Sequence, residues 1–264
     1  MSAAATRESG AAHGASASRP TLVLLHGIGG GAAGFAWHVE HFRSRGWPAL
    51  AWNQPGYGGT AAVEPYTLAR VAQSLLDTLD RDGIERCIPV GHSMGGMVAQ
   101  ELYALAPARV AGLVLAHTSP AFGSPEGDFQ RRFVEERTRP LDDGLTMTDV
   151  ARRVVPGLLG KATGADAAHA ATGLMAAVPP ATYRMAIAAL VHFDRRAQLP
   201  FIAVPTLCLA AEDDRTAPPA VLEKMATKIP GAVYRCLPGL GHLAPIENPQ
   251  AFCEAIESFI GSIQ

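Results

Sequence analysis

The sequence predicts an α/β fold, in which a mostly parallel β-sheet carries helices on both faces and a helical insertion interrupts the second half of the chain. Short apolar runs bounded by turns alternate with longer segments of helical periodicity, which is typical of a parallel sheet covered by helices. Residues 119–199 break this alternation, because they contain no clear strand and several Pro and Gly residues. With 48% hydrophobic and 17% charged residues, the 264-residue chain has ample apolar material for a large buried core.

Six apolar runs are predicted strands, and their short, mostly unalternating sequences are typical of strands buried on both faces. They are residues 22–25, 47–52, 87–90, 110–116, 206–210 and 233–237. Pro89 falls inside the third run, where its missing N–H is costly unless a bulge absorbs it. No strand is recognisable before residue 20.

Helices are predicted where apolar residues recur on one stripe between these runs. Two such stripes consist of Leu68, Val71, Leu75, Leu76 and Leu79, and of Met97, Val98, Leu102 and Leu105. Asn248 as N-cap and Pro249 at the first helical position predict the start of the last helix. We expect residues 20–118 and 200–264 to form one α/β core, residues 119–199 a helical cap, and the Ala-, Ser- and Gly-rich residues 1–19 a disordered leader.

Composition and charge argue against several classes of partner. With a net charge of -2 the chain has no excess of basic residues to neutralise phosphates, so we do not expect it to bind nucleic acid. No run approaches the roughly 18 apolar residues needed to span a bilayer, so no membrane association is expected. The four cysteines form no CxxC pair, which favours reduced core thiols in a cytoplasmic protein over a metal or redox site; they are Cys87, Cys208, Cys236 and Cys253. The oligomeric state is not indicated by the sequence.

The strongest local signal is Gly91-His92-Ser93-Met94-Gly95, a GxSxG pattern that follows a predicted strand and precedes a predicted helix. A serine at such a sharp turn has strained backbone angles, so its neighbours must be small. Its hydroxyl is held exposed at a helix N-terminus, where negative charge that develops during acyl transfer is favoured. Taken alone, the pattern could also be an ordinary tight turn.

A glycine-rich loop after the first strand could supply a second part of a catalytic site. His26-Gly27 ends that strand and Ile28 opens the loop. A loop at this point can aim a backbone N–H at the substrate oxygen. The predicted oxyanion hole therefore consists of the backbone amides of Ile28 and of Met94, the residue after the nucleophile.

The same loop also matches a dinucleotide-binding fingerprint, because Gly29, Gly31 and Gly34 fit GxGxxG between a strand and a helix. Such a site also needs an acidic residue after the next strand, to hold a ribose hydroxyl. Asn53 occupies that position. A dehydrogenase would also leave Ser93 and its possible partners unexplained, so we favour the hydrolase interpretation.

A serine nucleophile needs a histidine base and a carboxylate that orients the base. In hydrolases of this kind the chain order is Ser, then Asp or Glu, then His. Asp213 and Asp214 follow the fifth predicted strand, and His242 follows the sixth. A lone loop histidine and a capping acidic cluster are each common, but three residue types in this order, each after its own strand, predict a triad.

The motifs resemble those of the α/β-hydrolase family: HGIGG, PGYG at 55–58, GHSMGGMVAQ, EDDRTAP and GHLAPIENP. The resemblance spans roughly residues 20–262 and is greatest to 3-oxoadipate enol-lactonases, small carboxylesterases and carbon–carbon bond hydrolases of ring-cleavage products. The family has an acid four residues before a proline, which matches Asp214 with Pro218 better than Asp213. Asn53 and Ala211 depart from the family, which often has Asp and Gly there. The PGYG piece is expected to be a turn and not a site.

This resemblance implies a cofactor-free and metal-free serine hydrolase with Ser93 as nucleophile, His242 as base and Asp214 as the orienting acid. The implied substrate is a small ester or lactone such as 3-oxoadipate enol-lactone, whose carboxylate a cap arginine could bind. Two alternatives stay open, because the cap and not the triad selects the substrate. One is a carbon–carbon bond hydrolase, and the other is a non-catalytic ligand-binding protein with the same fold.

Overall fold

The computed structural model describes residues 19–123 and 128–263. Apart from Arg19, the predicted disordered leader lies outside the described residues. Arg19 packs its guanidinium over the Trp47 ring, 4.9 Å from the ring centroid, and donates a hydrogen bond to the Gly46 carbonyl.

Six parallel strands form one sheet in the order β2-β1-β3-β4-β5-β6, which confirms the predicted fold class. Each predicted run contains a strand; the bounds are β1 (Thr21–Leu25), β2 (Ala49–Trp52), β3 (Cys87–His92), β4 (Leu113–Ala116), β5 (Thr206–Ala211) and β6 (Val233–Leu237). The strand β3 runs two residues further than predicted, into the GxSxG motif itself. The strands β2 and β4 start later than predicted.

Ten α-helices are found in the described part of the chain, and both predicted apolar stripes lie on helices. The bounds are α1 (Ala36–Ser44), α2 (Leu68–Arg81), α3 (Met94–Leu105), α4 (Phe129–Asp142), α5 (Met147–Val154), α6 (Ala165–Ala176), α7 (Pro180–Leu190), α8 (Pro219–Lys228), α9 (Ala244–Glu247) and α10 (Pro249–Ile260). Asn248 caps α10 as predicted, because its side chain accepts a hydrogen bond from the Ala251 N–H at 3.0 Å. None of these helices combines the length and apolarity needed to cross a membrane.

Alternate residues of each strand face two separate apolar layers. Leu22 and Leu24 of β1 pack with α1 and α10, whereas Val23 and Leu25 pack with α2, α3 and α8. The second layer continues into α5, α6 and α7, whose apolar residues join the same cluster. The helices between β4 and β5 are therefore packed onto one side of the sheet, beside its carboxyl ends.

Pro89 is accommodated by a bulge in the neighbouring chain segment. Cys87 pairs with Val110, and Val90 pairs with Val114. An interval of three residues in β3 (87 to 90) therefore lies opposite an interval of four residues in the neighbouring segment (110 to 114). The neighbouring segment thus has one extra residue opposite the proline. The bulge also explains why β4 starts three residues after the predicted run does.

The strands β2 and β6 lie at the two edges of the sheet, which corrects the prediction that all six strands are interior, and β6 departs furthest from it. Only Leu237 of this strand is buried. Cys236 is consequently exposed and not a core thiol, whereas Cys87, Cys208 and Cys253 are buried as predicted. An edge strand covered on one face cannot be distinguished from a buried one by a five-residue sequence without strict alternation.

Candidate active site

The three residues predicted to form a triad meet at the carboxyl ends of the strands. Ser93 follows β3, Asp214 follows β5 and His242 follows β6. The chain adds β2 on one side of β1 and then adds β3 and the later strands on the other side, so the order in which strands are added reverses beside β1. A crevice opens at such a switch point, and open α/β sheets bind their ligands there.

Ser93 has the strained backbone expected of a strand-to-helix turn, with φ 55° and ψ -120°. The flanking glycines are needed for the predicted steric reason. A Cβ at Gly91 would lie 2.5 Å from the Gly95 carbonyl oxygen, and one at Gly95 would collide with the Leu25 carbonyl oxygen. The turn is thus packed against β1 as well as against itself, and it presents the serine hydroxyl at the start of α3.

The three side chains form a continuous hydrogen-bond relay. The Ser93 hydroxyl lies 2.9 Å from Nε2 of His242, and Nδ1 of His242 lies 2.8 Å from Oδ2 of Asp214. With the ring proton on Nδ1, the imidazole donates to the carboxylate and its Nε2 accepts from the hydroxyl. This is the arrangement that a general base requires.

The environments of the two adjacent aspartates differ. Asp214 is buried, and its Oδ1 accepts hydrogen bonds from the N–H groups of Thr216 and Ala217. Asp213 points instead to Lys161, whose backbone N–H and ammonium bind its two oxygens. These bonds lower the pKa of the Asp213 carboxyl, the backbone hydrogen bond most of all. Asp214 is therefore the carboxylate that reaches the imidazole.

The backbone of His242 is held on both sides by groups that the sequence did not reveal. Its N–H donates to the Leu158 carbonyl at 2.7 Å, and its carbonyl accepts from Nε2 of His92 at 2.7 Å. His92 belongs to the GxSxG motif, so the neighbour of the nucleophile also fixes the peptide that carries the base. Leu158 belongs to the insertion.

A single carboxylate, that of Glu247, connects the histidine loop to the insertion. It accepts hydrogen bonds from the N–H groups of Gly241 and Leu243, which flank His242, at 3.0 to 3.1 Å. It also accepts from the Gly160 N–H at 2.7 Å and from the Thr163 hydroxyl. The sequence contained a signal for this residue, since Glu247 lies in the GHLAPIENP motif, but its partners in the insertion are far away in the chain.

The loop after β1 passes directly beside the nucleophile. A Cβ on Gly27 would lie 3.0 Å from Cβ of Ser93. Within the described residues, the backbone N–H groups of Ile28 and Met94 have no hydrogen-bond acceptor. Both predicted oxyanion donors thus lie next to Ser93 in the chain or in space, and neither is bound to an acceptor among the described residues.

Two residues outside the predicted site fix this loop. Tyr57 is buried and donates its hydroxyl to the Ile28 carbonyl at 3.0 Å, and Asn53 accepts a hydrogen bond from the Ala32 N–H at 2.7 Å. The PGYG segment does form turns, as predicted, but Tyr57 also positions the peptide of Ile28. The predicted structural role of this segment therefore includes a contact with the loop after β1, which the sequence could not show.

Three histidines beside the relay are buried and uncharged at neutral pH. Burial lowers the pKa of His26 to about 4 and that of His92 to about 3. Burial also holds the pKa of His117 well below its usual range, and its Nδ1 lies 3.8 Å from Oδ2 of Asp214. These three histidines therefore place no positive charge beside the relay at neutral pH.

Ser93 and His242 open into a cavity of about 700 Å³. Its wall is mostly apolar and is built largely by the insertion and by α8; the larger apolar side chains include Phe122, Phe133, Leu174, Met175, Ile187 and Met225. This volume lies within the usual range of small-molecule sites. Among residues 19–123 and 128–263, no cluster of His, Cys, Asp or Glu is arranged to hold a metal ion.

Comparison with known proteins agrees with this geometry. The sequence model of the α/β hydrolase family matches residues 22–255. The chain belongs to this family. The resemblance predicted from the motifs is thereby confirmed, and the chain is a hydrolase.

Individual relatives of this α/β hydrolase align along nearly their whole length. RutD of Caulobacter vibrioides, a protein named as a carbamate hydrolase, is 30% identical over 254 residues, which are 92% of this chain and 91% of RutD. A hydrolase structure from Pseudomonas aeruginosa is 28% identical, with a TM-score of 0.82 over 93% of this chain and 91% of that one. The enol-lactonase of Burkholderia xenovorans is 25% identical, with a TM-score of 0.80 over 92% of each chain.

Proposed function

We propose that this chain is a serine hydrolase that cleaves a small ester or lactone through an acyl-enzyme on Ser93. The observation that carries the proposal is the relay from Ser93 through His242 to Asp214, with distances of 2.9 and 2.8 Å. A serine hydroxyl is a weak nucleophile at neutral pH, and a hydrogen-bonded imidazole is what activates it. The similarity to an enol-lactonase supports the ester or lactone class.

In the proposed reaction, the Ser93 oxygen attacks the substrate carbonyl while Nε2 of His242 takes its proton. The Ile28 and Met94 N–H groups stabilise the resulting oxyanion, each donor lowering the barrier by roughly 3 kcal/mol. The tetrahedral intermediate collapses, and the imidazolium gives its proton to the departing alkoxide. Water, deprotonated by the same imidazole, then attacks the acyl-enzyme and releases the acid and Ser93.

Asp214 stays ionised throughout and stabilises the imidazolium. Its burial and its two backbone hydrogen bonds fix the carboxylate, so little reorganisation accompanies proton transfer. The anchors on the His242 backbone act in the same way, because they hold the ring between its two partners before substrate binds.

Carbamate hydrolysis is a second candidate, favoured by the similarity to RutD. A carbamate presents the same electrophilic carbonyl, so the same serine, base and oxyanion donors would serve. Ester or lactone hydrolysis and carbamate hydrolysis use the same relay. They differ in the leaving group and in the substrate that the cavity must bind.

A substrate panel tests the proposed class. We expect turnover of short-chain p-nitrophenyl esters or enol-lactones by the wild type, and loss of at least ~10³-fold of kcat in Ser93→Ala. Turnover of a carbamate with none of any ester or lactone would favour the second candidate. Turnover that survives Ser93→Ala would contradict both, and binding without any turnover would favour a ligand-binding protein.

A further inference from the structure

The Met94 N–H, one donor of the proposed oxyanion hole, belongs to the peptide between Ser93 and Met94. The carbonyl of that peptide is the Ser93 carbonyl, and it accepts hydrogen bonds. A peptide is planar, and its N–H and C=O point in opposite directions. The groups that hold the Ser93 carbonyl therefore also set the direction of the Met94 N–H. A hydrogen bond accepted by the carbonyl also polarises the peptide, which makes its N–H a stronger donor.

The side chain of Thr118 makes the shortest hydrogen bond to the Ser93 carbonyl within the described residues. Its hydroxyl donates at 2.7 Å, whereas the N–H groups of Gly96 and Met97 in α3 lie 2.9 and 3.4 Å from the same oxygen. A regular α-helix would hold this carbonyl through the Met97 N–H. Because the backbone of Ser93 is not helical, with φ 55°, that bond is long. A side chain from outside the helix therefore holds the carbonyl.

Thr118 reaches the nucleophile turn because the chain bends sharply after β4. The strand ends at Ala116, whose carbonyl accepts a hydrogen bond from the Ser93 N–H at 2.9 Å. The next residue, His117, has a φ of 49°, in the left-handed region. Such a backbone is strained in a residue other than glycine and persists only where the surrounding structure holds it. Thr118 follows, and it is buried in the wall of the cavity.

Gly96, the second of two adjacent glycines after Met94, leaves room for Thr118. A Cβ at residue 96 would lie 2.6 Å from Cγ2 of Thr118 and 2.8 Å from its hydroxyl oxygen. The GxSxG pattern requires glycine only at residues 91 and 95, and glycine within a helix is unfavourable relative to alanine. The close approach of Thr118 is thus a separate reason for glycine at residue 96.

The peptide of the second oxyanion donor is held in the same way. The Ile28 N–H belongs to the peptide whose carbonyl is that of Gly27, and this carbonyl accepts from Nδ1 of His26 at 2.8 Å and from the Gly30 N–H at 3.0 Å. Nε2 of His26 accepts from the Gln54 N–H, so the proton of this neutral ring lies on Nδ1. In both peptides a side chain donates to the carbonyl, while the N–H has no acceptor among the described residues.

We infer that Thr118 is a positioning residue of the oxyanion hole, which acts through the peptide between Ser93 and Met94. The inference rests on the proposed function and adds a residue to its machinery. The one hydroxyl proton of Thr118 is donated to the Ser93 carbonyl, so Thr118 acts through that peptide and not on the substrate. Its loss should weaken the stabilisation of the oxyanion and leave the relay from Ser93 to His242 intact.

Valine has the shape of threonine without the hydroxyl, so Thr118→Val tests this role. Loss of a whole oxyanion donor lowers kcat by about 10²- to 10³-fold, and here the N–H remains. We therefore expect Thr118→Val to lower kcat on a p-nitrophenyl ester by ~10- to 30-fold, with KM within about threefold of the wild type. Thr118→Ala should show a similar loss, so the test does not depend on the folding of one variant.

Two further measurements distinguish positioning of the oxyanion hole from a general structural role. Thr118→Ser keeps the hydroxyl and should retain kcat within about threefold of the wild type. The pH profile of kcat/KM should be the same in the wild type, Thr118→Val and Thr118→Ser, because the base is untouched. A loss in Thr118→Ser as large as in Thr118→Val, or a shifted pH profile in Thr118→Val, would overturn the inference.

Thr206→Val is the matched control, because Thr206 is also buried and its hydroxyl donates to a backbone carbonyl, that of Val204, at 2.9 Å. Thr206 begins β5, whereas Asp214 follows the other end of that strand. We expect kcat of this variant to stay within about twofold of the wild type. No loss in Thr118→Val, or an equal loss in both valine variants, would overturn the inference and leave the proposed function standing.

Binding of 1,1,1-trifluoro-2-octanone, followed by fluorine NMR, separates the inference from the proposed function. The Ser93 oxygen bonds to the ketone carbon, its proton passes to His242, and the carbonyl oxygen becomes an oxyanion that is not hydrolysed further. Such an adduct resembles the transition state, so we expect Thr118→Val to bind the ketone ~10-fold more weakly and to bind 2-octanone as the wild type does.

The outcomes for the ketone and for the esters are independent. A weaker adduct in Thr118→Val, with no turnover of any ester by the wild type, would support the inference and count against the proposed function. Equal affinity of the wild type and Thr118→Val for the trifluoromethyl ketone, or no adduct in the wild type, would overturn the inference.

Discussion

At the scale of single residues, the two adjacent aspartates show what the structure adds to the sequence. Spacing to Pro218 favoured Asp214, but both candidates follow the same strand. The geometry separates them, because the Asp214 carboxylate binds the imidazole and that of Asp213 binds Lys161. The identities of Ser93 and His242 could be predicted from motif and chain order alone. The roles of Tyr57 and Glu247 could not, because each depends on a contact with a distant segment.

The two aspartates therefore predict different effects of the same substitution. We expect Asp214→Asn to lower kcat on an ester substrate by about 10³- to 10⁴-fold, because the amide no longer stabilises the imidazolium. Asp213→Asn should change kcat by less than about threefold, since only the exposed contact with Lys161 weakens. Steady-state kinetics of both variants decide the matter. A large loss in Asp213→Asn alone would reverse the assignment of the acid.

At the scale of structural elements, periodicity and turn chemistry predicted the strands, the helix stripes and the nucleophile turn. They failed at β6, which is an edge strand, and at the start of β4, where the bulge opposite Pro89 shifts the register. Local sequence carries no information on which strand is last in the sheet. Nor could it show that Leu158 and Gly160 of the insertion bind the loop that carries His242.

Glu247 is a positioning residue in this scheme, because its carboxylate holds the loop of His242 against the insertion. We expect Glu247→Ala to lower kcat by ~10- to 100-fold with a smaller change in KM, since a small displacement of the base is costly. Glu247→Gln should retain more activity, because its amide oxygen can still accept some of these hydrogen bonds. Kinetics across a pH series will also show an altered profile if the ring of His242 loses its fixed place.

Glu254→Gln provides a control for Glu247, because Glu254 is an exposed residue of α10 whose side chain, within the described residues, accepts a hydrogen bond from Gln250 alone. Its kcat and pH profile should match the wild type. If Glu247→Ala has the same kinetics as the wild type, the loop of His242 is held by its other contacts. This result would contradict a positioning role for Glu247.

At the scale of the whole molecule, the fold brings together side chains from three loops at the switch point of a parallel sheet. The resemblance predicted this architecture from about five short motifs. What it could not predict was the number of buried histidines. His26, His38, His92 and His117 are all buried, and burial is the main cause of the low pKa of each.

These histidines predict that the fold is less stable in mild acid. Their pKa in the unfolded chain is about 6.5, whereas in the folded state it is about 4 for His26 and His38 and about 3 for His92. Below pH 6.5 the unfolded state therefore binds more protons, and the free energy of unfolding falls as the pH falls toward 4. Each such histidine contributes roughly 1 kcal/mol per pH unit in this window.

Urea denaturation at several pH values between 7.5 and 5 measures this slope. His38→Phe should lower the number of protons taken up on unfolding by roughly one, because His38 is buried between the rings of Phe35 and Phe252 and makes none of the hydrogen bonds of the relay. His169→Gln should leave it unchanged, since His169 is exposed. A stability that is constant or rises toward pH 5 would show that these histidines are not held neutral in the fold.

Covalent labelling by a fluorophosphonate tests most directly whether Ser93 is an activated nucleophile. The reagent phosphonylates a serine oxygen only when a base removes its proton, and mass spectrometry locates the adduct. We expect rapid, stoichiometric labelling on the peptide that contains Ser93, none there in Ser93→Ala, and at least ~10³-fold slower labelling in His242→Ala. Labelling at another serine, or an unchanged rate at Ser93 without His242, would contradict the account.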